Sequence, residues 1–148
     1  MMEELLGNII DLKRHLNTIE HMIYVSCKFT RTTEMLKTVM ETIVVGYEEF
    51  FNLSFKIYVS DTNIDGALYH KIQLLNDALS ERGIVIDLSD YFLLKKLLIS
   101  DFESVGQYRK NLSMISYIDG QEYVITRVKL LEFYENLKLA FATLKPIN

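Results

Sequence analysis

The chain has 148 residues, of which 49% are hydrophobic, and it contains one proline and six glycines. This length suffices for a single domain with its own core, and the composition excludes a disordered or low-complexity protein. The single cysteine excludes an intrachain disulfide. The net charge of −4, from 16 basic and 20 acidic residues, argues against a general nucleic-acid binder, because such proteins carry an excess of cations.

The N-terminal stretch and the lengths of the apolar runs bear on localisation. The N-terminal stretch "MMEELLGNIIDLKRHL" is acidic near its start and lacks the continuous apolar segment of a signal peptide. The longest apolar runs, such as "MIYV" and "YFLL", fall far short of the ~20 residues that a membrane span needs. We therefore expect one cytoplasmic helical domain over residues 1–148, with no membrane contact and no cofactor.

The first predicted element is a long helix over roughly residues 3–28. Its apolar residues alternate in steps of four and three, which places them on one face: Leu5, Ile9, Leu12, Leu16, Ile19, Ile23 and Cys27. A second helix follows "FTRTT", whose threonines are suited to accept hydrogen bonds from its first N–H groups. Whether residues 54–59, "SFKIYV", continue this helix or form a short strand stays open.

The middle of the chain predicts a turn and two further helices. The stretch "SDTNIDG" is typical of a turn. A third helix is predicted over residues 67–81, with Gly83 as its C-terminal stop. The following "IVID" fits either a short strand or an extended connector. The sequence "DLSDYFLLKKLLISDFESVG" then predicts a fourth helix, capped by Asp87 or Ser89 and ending near Gly106.

Residues 113–127, "SMISYIDGQEYVITR", predict a β-hairpin, because Asp119 and Gly120 suit the two positive-φ positions of a type I′ turn. That turn pairs Ile118 with Gln121, Tyr117 with Glu122, Ser116 with Tyr123, Ile115 with Val124, and Met114 with Ile125. One face then carries Ile115 and Val124. The other carries Leu112, Met114, Tyr123 and Ile125, and we expect this more apolar face to lie on helices.

An isolated hairpin is marginally stable in water, so this one needs a third strand or a packed face. We favour packing on the protein's own helices. Pairing of the hairpin edge with a second copy is the secondary expectation, and "FKIYV" and "IVID" are further candidate strands. A last helix is predicted from Leu130, Tyr134, Leu137, Phe141 and Leu144. The predicted fold is mainly α, with about five helices in a bundle and one β-hairpin inserted before the C-terminal helix.

Motifs of catalysis and metal binding are missing from the sequence. His15 and His21 point to different sides of the first helix, and no paired-histidine or zinc-ligand spacing occurs. No nucleophile elbow, P-loop or dinucleotide fingerprint occurs either. Cys27 lies on an apolar stripe, which favours a buried, unreactive thiol. We expect no catalytic residue and no metal ligand.

Two polar groups remain as candidate sites. Arg109, Lys110, Arg127 and Lys129 gather at the open end of the hairpin, with Tyr108 and Tyr123 nearby, where they suit a phosphate, RNA or acidic peptide. A solvated, partly acid-paired cluster is the favoured interpretation. Glu20, His21 and Tyr24 occupy adjoining positions of the first helix. An interhelical polar contact is favoured there over an acid/base pair. A small-molecule enzyme built around these three residues is a weaker third hypothesis.

Two stretches carry a family resemblance: "IEHMIYVSCKFTRTTEMLKTVMETIVVGYEEFF" and "YRKNLSMISYIDGQEYVITRVKLLEFYENLKLAF". Together they resemble a family of small, uncharacterised archaeal helical proteins, and through it the HEPN class of helical bundles. Many HEPN proteins are dimeric ribonucleases or nucleotide-handling partners in toxin–antitoxin and defence systems. Catalytic members carry Arg-x4-6-His late in the bundle, whereas here that spacing occurs only at Arg14 and His21, in the first helix. The resemblance therefore implies a non-catalytic member.

The sequence as a whole predicts a non-catalytic interaction or scaffold protein that acts as a homodimer or through a protein partner. Wide helical stripes rich in Tyr, Phe and Met suit both a core and an interface. The alternative is an RNA-binding or HEPN-like, ribonuclease-related factor that uses the basic cluster. The net charge does not favour nucleic acid as the partner.

Overall fold

A computed structural model describes residues 2–58 and 68–144. The helical segments are α1 (Met2–His21), a π-helical turn (Met22–Ser26), α2 (Cys27–Phe29), α3 (Thr33–Tyr58), α4 (Leu68–Glu81), α5 (Ser89–Ile99) and α6 (Arg127–Ala142). The strands β1 (Phe102–Val105), β2 (Ser113–Ile118) and β3 (Gln121–Ile125) form one antiparallel sheet in the order β1-β2-β3. The predicted mainly α fold, with its hairpin before the last helix, is confirmed.

The predicted first helix is present as α1, the π-helical turn and α2, which follow one another without a break. Its apolar stripe is buried from Leu12 through Ile23 to Cys27. The π-helical turn was not predicted, because steps of three and four residues do not distinguish a single wider turn from a regular helix. It lies where the helix approaches α6.

The centre of the bundle is α3, which contacts α1, α4, α5, α6 and β2. Twelve of its 26 residues are buried, including Tyr47, Phe50 and Phe51. The helix continues through Tyr58, so the open question about "SFKIYV" is settled in favour of helix as far as that residue. Of the helices within residues 2–58 and 68–144, none combines the length and the apolar character needed to cross a membrane.

The segment before α5 follows the prediction in part. The predicted turn "SDTNIDG" and the predicted start of the third helix lie outside the described residues. Gly83 adopts φ +73°, the left-handed conformation expected of a helix stop. Residues 84–88 form a connector that belongs to no helix and pairs with no strand. The predicted cap of this helix by Asp87 or Ser89 is wrong, because the N-cap residue of α5 is Leu88 and no side chain caps it with a hydrogen bond. Asp87 Oδ1 accepts a hydrogen bond from the Ser89 N–H over 2.9 Å. Side-chain and backbone hydrogen bonds from Ser89 lower the pKa of the Asp87 carboxyl.

The prediction of a fourth helix reaching Gly106 is wrong, because α5 ends at Ile99. Ser100 is extended, and its hydroxyl donates a hydrogen bond back to the Leu97 carbonyl over 2.8 Å. The next residues form β1, whose Val105 pairs with Ser113 of β2. A strand this short is stabilised by its partner, which lies several residues further along the chain, so local spacing did not reveal it.

The hairpin prediction is confirmed together with its register, from Ile118 opposite Gln121 to Met114 opposite Ile125. Asp119 and Gly120 both have positive φ, at 52° and 79°. The predicted inner face is buried at Leu112, Met114 and Ile125. Through β2, this face packs against α3 and α5. The hairpin thus obtains both a packed face and a third strand, β1.

Candidate binding site at the basic end of the sheet

Three chain segments meet at one end of the sheet. The first residues of β2 pair with the last residues of β1 and of β3, so the β1–β2 loop, residues 106–112, lies at the same end as the first turn of α6. The backbone N–H of Tyr108 donates to the Arg31 carbonyl over 2.6 Å, which fastens this loop to the turn between α2 and α3. We call residues 21–33, 106–112 and 126–129 the basic end.

The β1–β2 loop also completes the N-terminus of α3. The Thr33 N–H donates to Gln107 Oε1 over 3.0 Å, and Ser104 Oγ donates to Thr33 Oγ1 over 3.0 Å. The Met35 N–H donates to Thr32 Oγ1 over 3.2 Å, so a threonine of "FTRTT" caps the helix as predicted. The bonds from the Thr33 and Met35 N–H groups satisfy donors that lack a partner inside the helix. The bonds of Thr33 to Gln107 and Ser104 also join the loop and the end of β1 to α3.

Arg127 links the start of α6 to the π-helical turn. Its Nε donates to the Ile23 carbonyl over 2.6 Å, and its guanidinium carbon lies 5.7 Å from the centre of the Tyr24 ring. The Thr126 hydroxyl accepts from the Lys129 N–H over 3.2 Å and caps α6. Arg127 is therefore already used within the fold, in a hydrogen bond and a cation–π contact.

The structure divides the four predicted cations into two pairs. Lys129 Nζ lies 3.2 Å from Glu132 Oε2 and 5.1 Å from the centre of the Phe133 ring, so Lys129 is engaged, as Arg127 is. Arg109 and Lys110 are exposed, and neither side chain has a hydrogen bond or ion pair within residues 2–58 and 68–144. Their predicted role in ligand contact stays a prediction.

The fold adds two cations, Lys28 and Arg31, and one ring, Phe29, to the predicted cluster, which already included Tyr108. Lys28 is exposed and Arg31 half-buried in the turn that holds the loop. Phe29 is 86% exposed and Tyr108 75% exposed. The one available signal was the alternation of aromatic and basic residues in "CKFTR" and "QYRK", but nothing in the sequence placed these two stretches together.

The basic end concentrates positive charge that the net charge conceals. Its three segments contain six of the 16 Lys and Arg residues and no Asp or Glu, which leaves ten cations against 20 acidic residues in the rest of the chain. Cations grouped in this way on an acidic protein favour the approach of anionic partners.

The backbone of the β1–β2 loop is unusual at Tyr108, which has φ +70°. A bulky residue in this left-handed region is a genuine outlier, because its Cβ is crowded by the backbone. Gly106 precedes it at φ +77°, and the Arg109 N–H closes a turn by donating to the Gly106 carbonyl over 2.8 Å. The surrounding hydrogen bonds therefore hold Tyr108 in a conformation that its side chain disfavours.

The second predicted site is divided by the fold. Glu20 Oε2 accepts from the Tyr134 hydroxyl over 3.0 Å, an interhelical contact between α1 and α6. Burial and this hydrogen bond raise the pKa of Tyr134. Tyr24 faces Arg127 instead. His21 is exposed, and within the described part of the chain it makes no hydrogen bond to Tyr24.

Two clefts on the described surface lie away from both sites. One, of about 420 Å³, separates α5 from the hairpin tip and includes Lys96, Asp119 and Tyr123 in its lining. The other, of about 180 Å³, lies between the connector before α5 and α6. Neither is lined by the residues proposed for a small-molecule enzyme. Residues 2–58 and 68–144 hold no group of three or more His, Cys, Asp and Glu side chains arranged to bind a metal.

The fold and site together define a mainly α protein with a three-stranded sheet and a segregated basic, aromatic end. Comparison of the chain with protein-family models, with curated proteins and with solved structures finds no match. The resemblance to small archaeal proteins and to the HEPN class therefore stays a prediction from the stretches that carry it.

Proposed function

We propose that this protein is a non-catalytic binding protein that recognises an anionic partner at its basic end. The observation that carries the proposal is the charge segregation: three separate segments without a single acidic residue are brought together, and they contain six cations. RNA is one anionic partner of this kind. The late histidine of a catalytic HEPN protein has no counterpart in α6, so the proposal includes no cleavage step.

The availability of the cations supports binding. Lys28, Arg109 and Lys110 are exposed, and none of the three has an ion pair or side-chain hydrogen bond among the described residues. Their charges can therefore meet a partner's phosphates or carboxylates without first breaking an internal contact. Unpaired surface cations also accelerate association with an anionic partner, and the effect weakens as salt screens it.

The proposal is tested by binding to heparin and to polyglutamate over a series of salt concentrations. We expect salt-sensitive binding to at least one of them, weakened in Arg109→Ala/Lys110→Ala. Lys13→Ala/Lys138→Ala is the matched control, because it removes two exposed lysines outside the basic end. Absence of binding at low salt, or equal weakening in the two double variants, would contradict the proposal.

Self-association is a second candidate, and the outer face of the sheet favours it. This face carries the exposed side chains of Val105, Tyr117 and Val124 around the partly buried Ile115. Its charged residues, Glu103 and Glu122, are both acidic. A second copy offers complementary cations at its basic end, and in a two-fold dimer each copy would supply both surfaces.

The dimer is tested by light scattering coupled to size exclusion at several protein and salt concentrations. Val124→Lys places a cation on the outer face, where it repels the partner's basic end, so we expect it to shift the equilibrium toward monomer. Val85→Lys is the control, because Val85 is 89% exposed in the connector before α5. A strictly monomeric wild type at high concentration excludes this candidate.

A further inference from the structure

We propose that the anionic partner is a single-stranded nucleic acid, with the rings of Tyr108 and Phe29 stacking on its bases and the neighbouring cations contacting its phosphates. This inference rests on the proposed function, because it names the partner of the same basic end. Two observations support it: the two exposed rings lie among cations that have no internal partner in the described residues, and Tyr108 has a positive φ angle.

The two rings have no role in the core. Phe29 and Tyr108 are 86% and 75% exposed, and each is followed or preceded in sequence by a cation of the basic end. The hydrogen bond from the Tyr108 N–H to the Arg31 carbonyl places the two stretches side by side. Rings alternating with cations suit a flexible strand, because bases stack on the rings while cations contact the phosphates.

The backbone of Tyr108 points to a role outside the chain. At φ +70°, glycine would be accommodated without the crowding that a Cβ causes. The hydrogen bonds that hold the loop use the Tyr108 backbone and the Gln107 side chain, so the Tyr108 ring is not needed for them. A disfavoured conformation that presents an exposed ring is the kind of outlier from which function is inferred.

The rings distinguish a single strand from other anionic partners. An acidic peptide would neutralise the cations but leave both rings in water. A duplex keeps its bases stacked on one another, so no base face is free to stack on the two protein rings. An anionic membrane surface would attract the cations as well, but it favours a broad apolar face rather than two rings set among charges.

The experiment is fluorescence anisotropy with a labelled oligonucleotide of about 12 nucleotides. The probe is prepared as single-stranded RNA, as single-stranded DNA of the same sequence and as the duplex, and binding is measured between about 50 and 200 mM salt. We expect the wild-type protein to bind the single strands more tightly than the duplex. Binding of either single strand supports the inference, and the difference between them identifies the preferred sugar.

Two double variants separate the rings from the charges. Phe29→Ala/Tyr108→Gly is expected to weaken single-strand binding about tenfold or more without changing its salt dependence. Arg109→Ala/Lys110→Ala is expected to weaken it and to reduce the slope of log affinity against log salt by about 1.4. Tyr117→Ala and Lys13→Ala/Lys138→Ala are the matched controls and should bind as the wild type does. Circular dichroism verifies that each variant is folded.

The outcomes distinguish this inference from the proposed function. If heparin or polyglutamate binds and the oligonucleotides do not, the inference fails while the proposed function stands. If heparin, polyglutamate and the oligonucleotides all fail to bind, both fail. Wild-type affinity in the ring variant, or tighter binding to phosphatidylglycerol vesicles than to the single strands, also overturns the inference.

Discussion

The Tyr134 hydroxyl donates a hydrogen bond to Glu20 Oε2 over 3.0 Å, and this bond joins α6 to α1 across the first and last helices of the described chain. A second bond of the same kind, from the Tyr91 hydroxyl to Glu48 Oε2 over 2.9 Å, joins α5 to α3. Both tyrosines are buried, at 3% exposure each. Each bond thus gives a buried phenol a charged acceptor at the edge of the core.

Tyr134→Phe removes the bond to Glu20 and keeps the ring in the core. We expect the free energy of unfolding to fall by about 1 kcal/mol, because a hydrogen bond to a charged, partly exposed acceptor is lost. Urea unfolding measures the change. Tyr117→Phe is the matched control, because Tyr117 donates to Glu122 over 3.2 Å from an exposed position. Its unfolding midpoint should equal that of the wild type, and an equal loss in both variants would contradict the prediction.

Alkaline pH should destabilise the fold. Burial raises the pKa of Tyr47, Tyr91 and Tyr134 above the ordinary value of 10.0, and nearby carboxylates raise it further. Below that value, folded and unfolded chains both keep these phenols protonated, so the stability is fully present. Above it the unfolded chain loses protons that the folded chain retains, so the free energy of unfolding falls as pH rises.

Urea unfolding at about pH 8 and about pH 11 measures this effect. Tyr134→Phe should show a smaller loss between the two conditions than the wild type, because it removes one of the three phenols. A free energy of unfolding that is constant or rises over this range would show the sign to be wrong.

At Gly46, side chains of α1 and α6 lie close to the backbone of α3. A Cβ at this position would lie 2.9 Å from Leu137 Cδ2 and 3.3 Å from His15 Cδ2. His15 is itself held in place, because its Nε2 lies 2.8 Å from the Thr42 carbonyl oxygen. In Gly46→Ala the steric cost of about 1–3 kcal/mol should exceed the gain in helix propensity, which is about 1 kcal/mol. We expect a lower thermal midpoint.

Gly7→Ala is the matched control for Gly46→Ala. Gly7 is also helical, but among residues 2–58 and 68–144 no atom beyond its chain neighbours and the backbone of its own helix lies within 4 Å of the added Cβ. The substitution should therefore gain helix propensity without a steric cost, and the thermal midpoint should rise. Equal shifts in the two variants would refute the close packing at Gly46.

The Cys27 thiol should react slowly in the folded protein. Its side chain is buried at 6% exposure. Burial raises the pKa of the thiol, and the charge of Arg127 offsets part of that rise. Because the thiolate is the reactive form, labelling by a disulfide reagent at neutral pH should be much slower in buffer than in denaturant. Comparable rates would show that Cys27 is accessible.

Local patterns in the sequence determined the helices and the hairpin. Steps of three and four residues locate the apolar faces of α1 and α3, because a helix face repeats with its own turn. Asp119 and Gly120 define the hairpin turn, and a two-residue turn determines every pair in the register. In each case the deciding interactions lie within a few residues of one another.

Tertiary structure decided what the hairpin pairs with and how the charges are grouped. The stretch that forms β1 was compatible with the end of a helix until β2 supplied backbone partners. Lys28 and Arg31 joined Arg109 and Lys110 only through the bond between Tyr108 and the turn after α2. Strand pairing and the juxtaposition of charges depend on which distant segments meet, and composition or spacing along one segment does not contain that information.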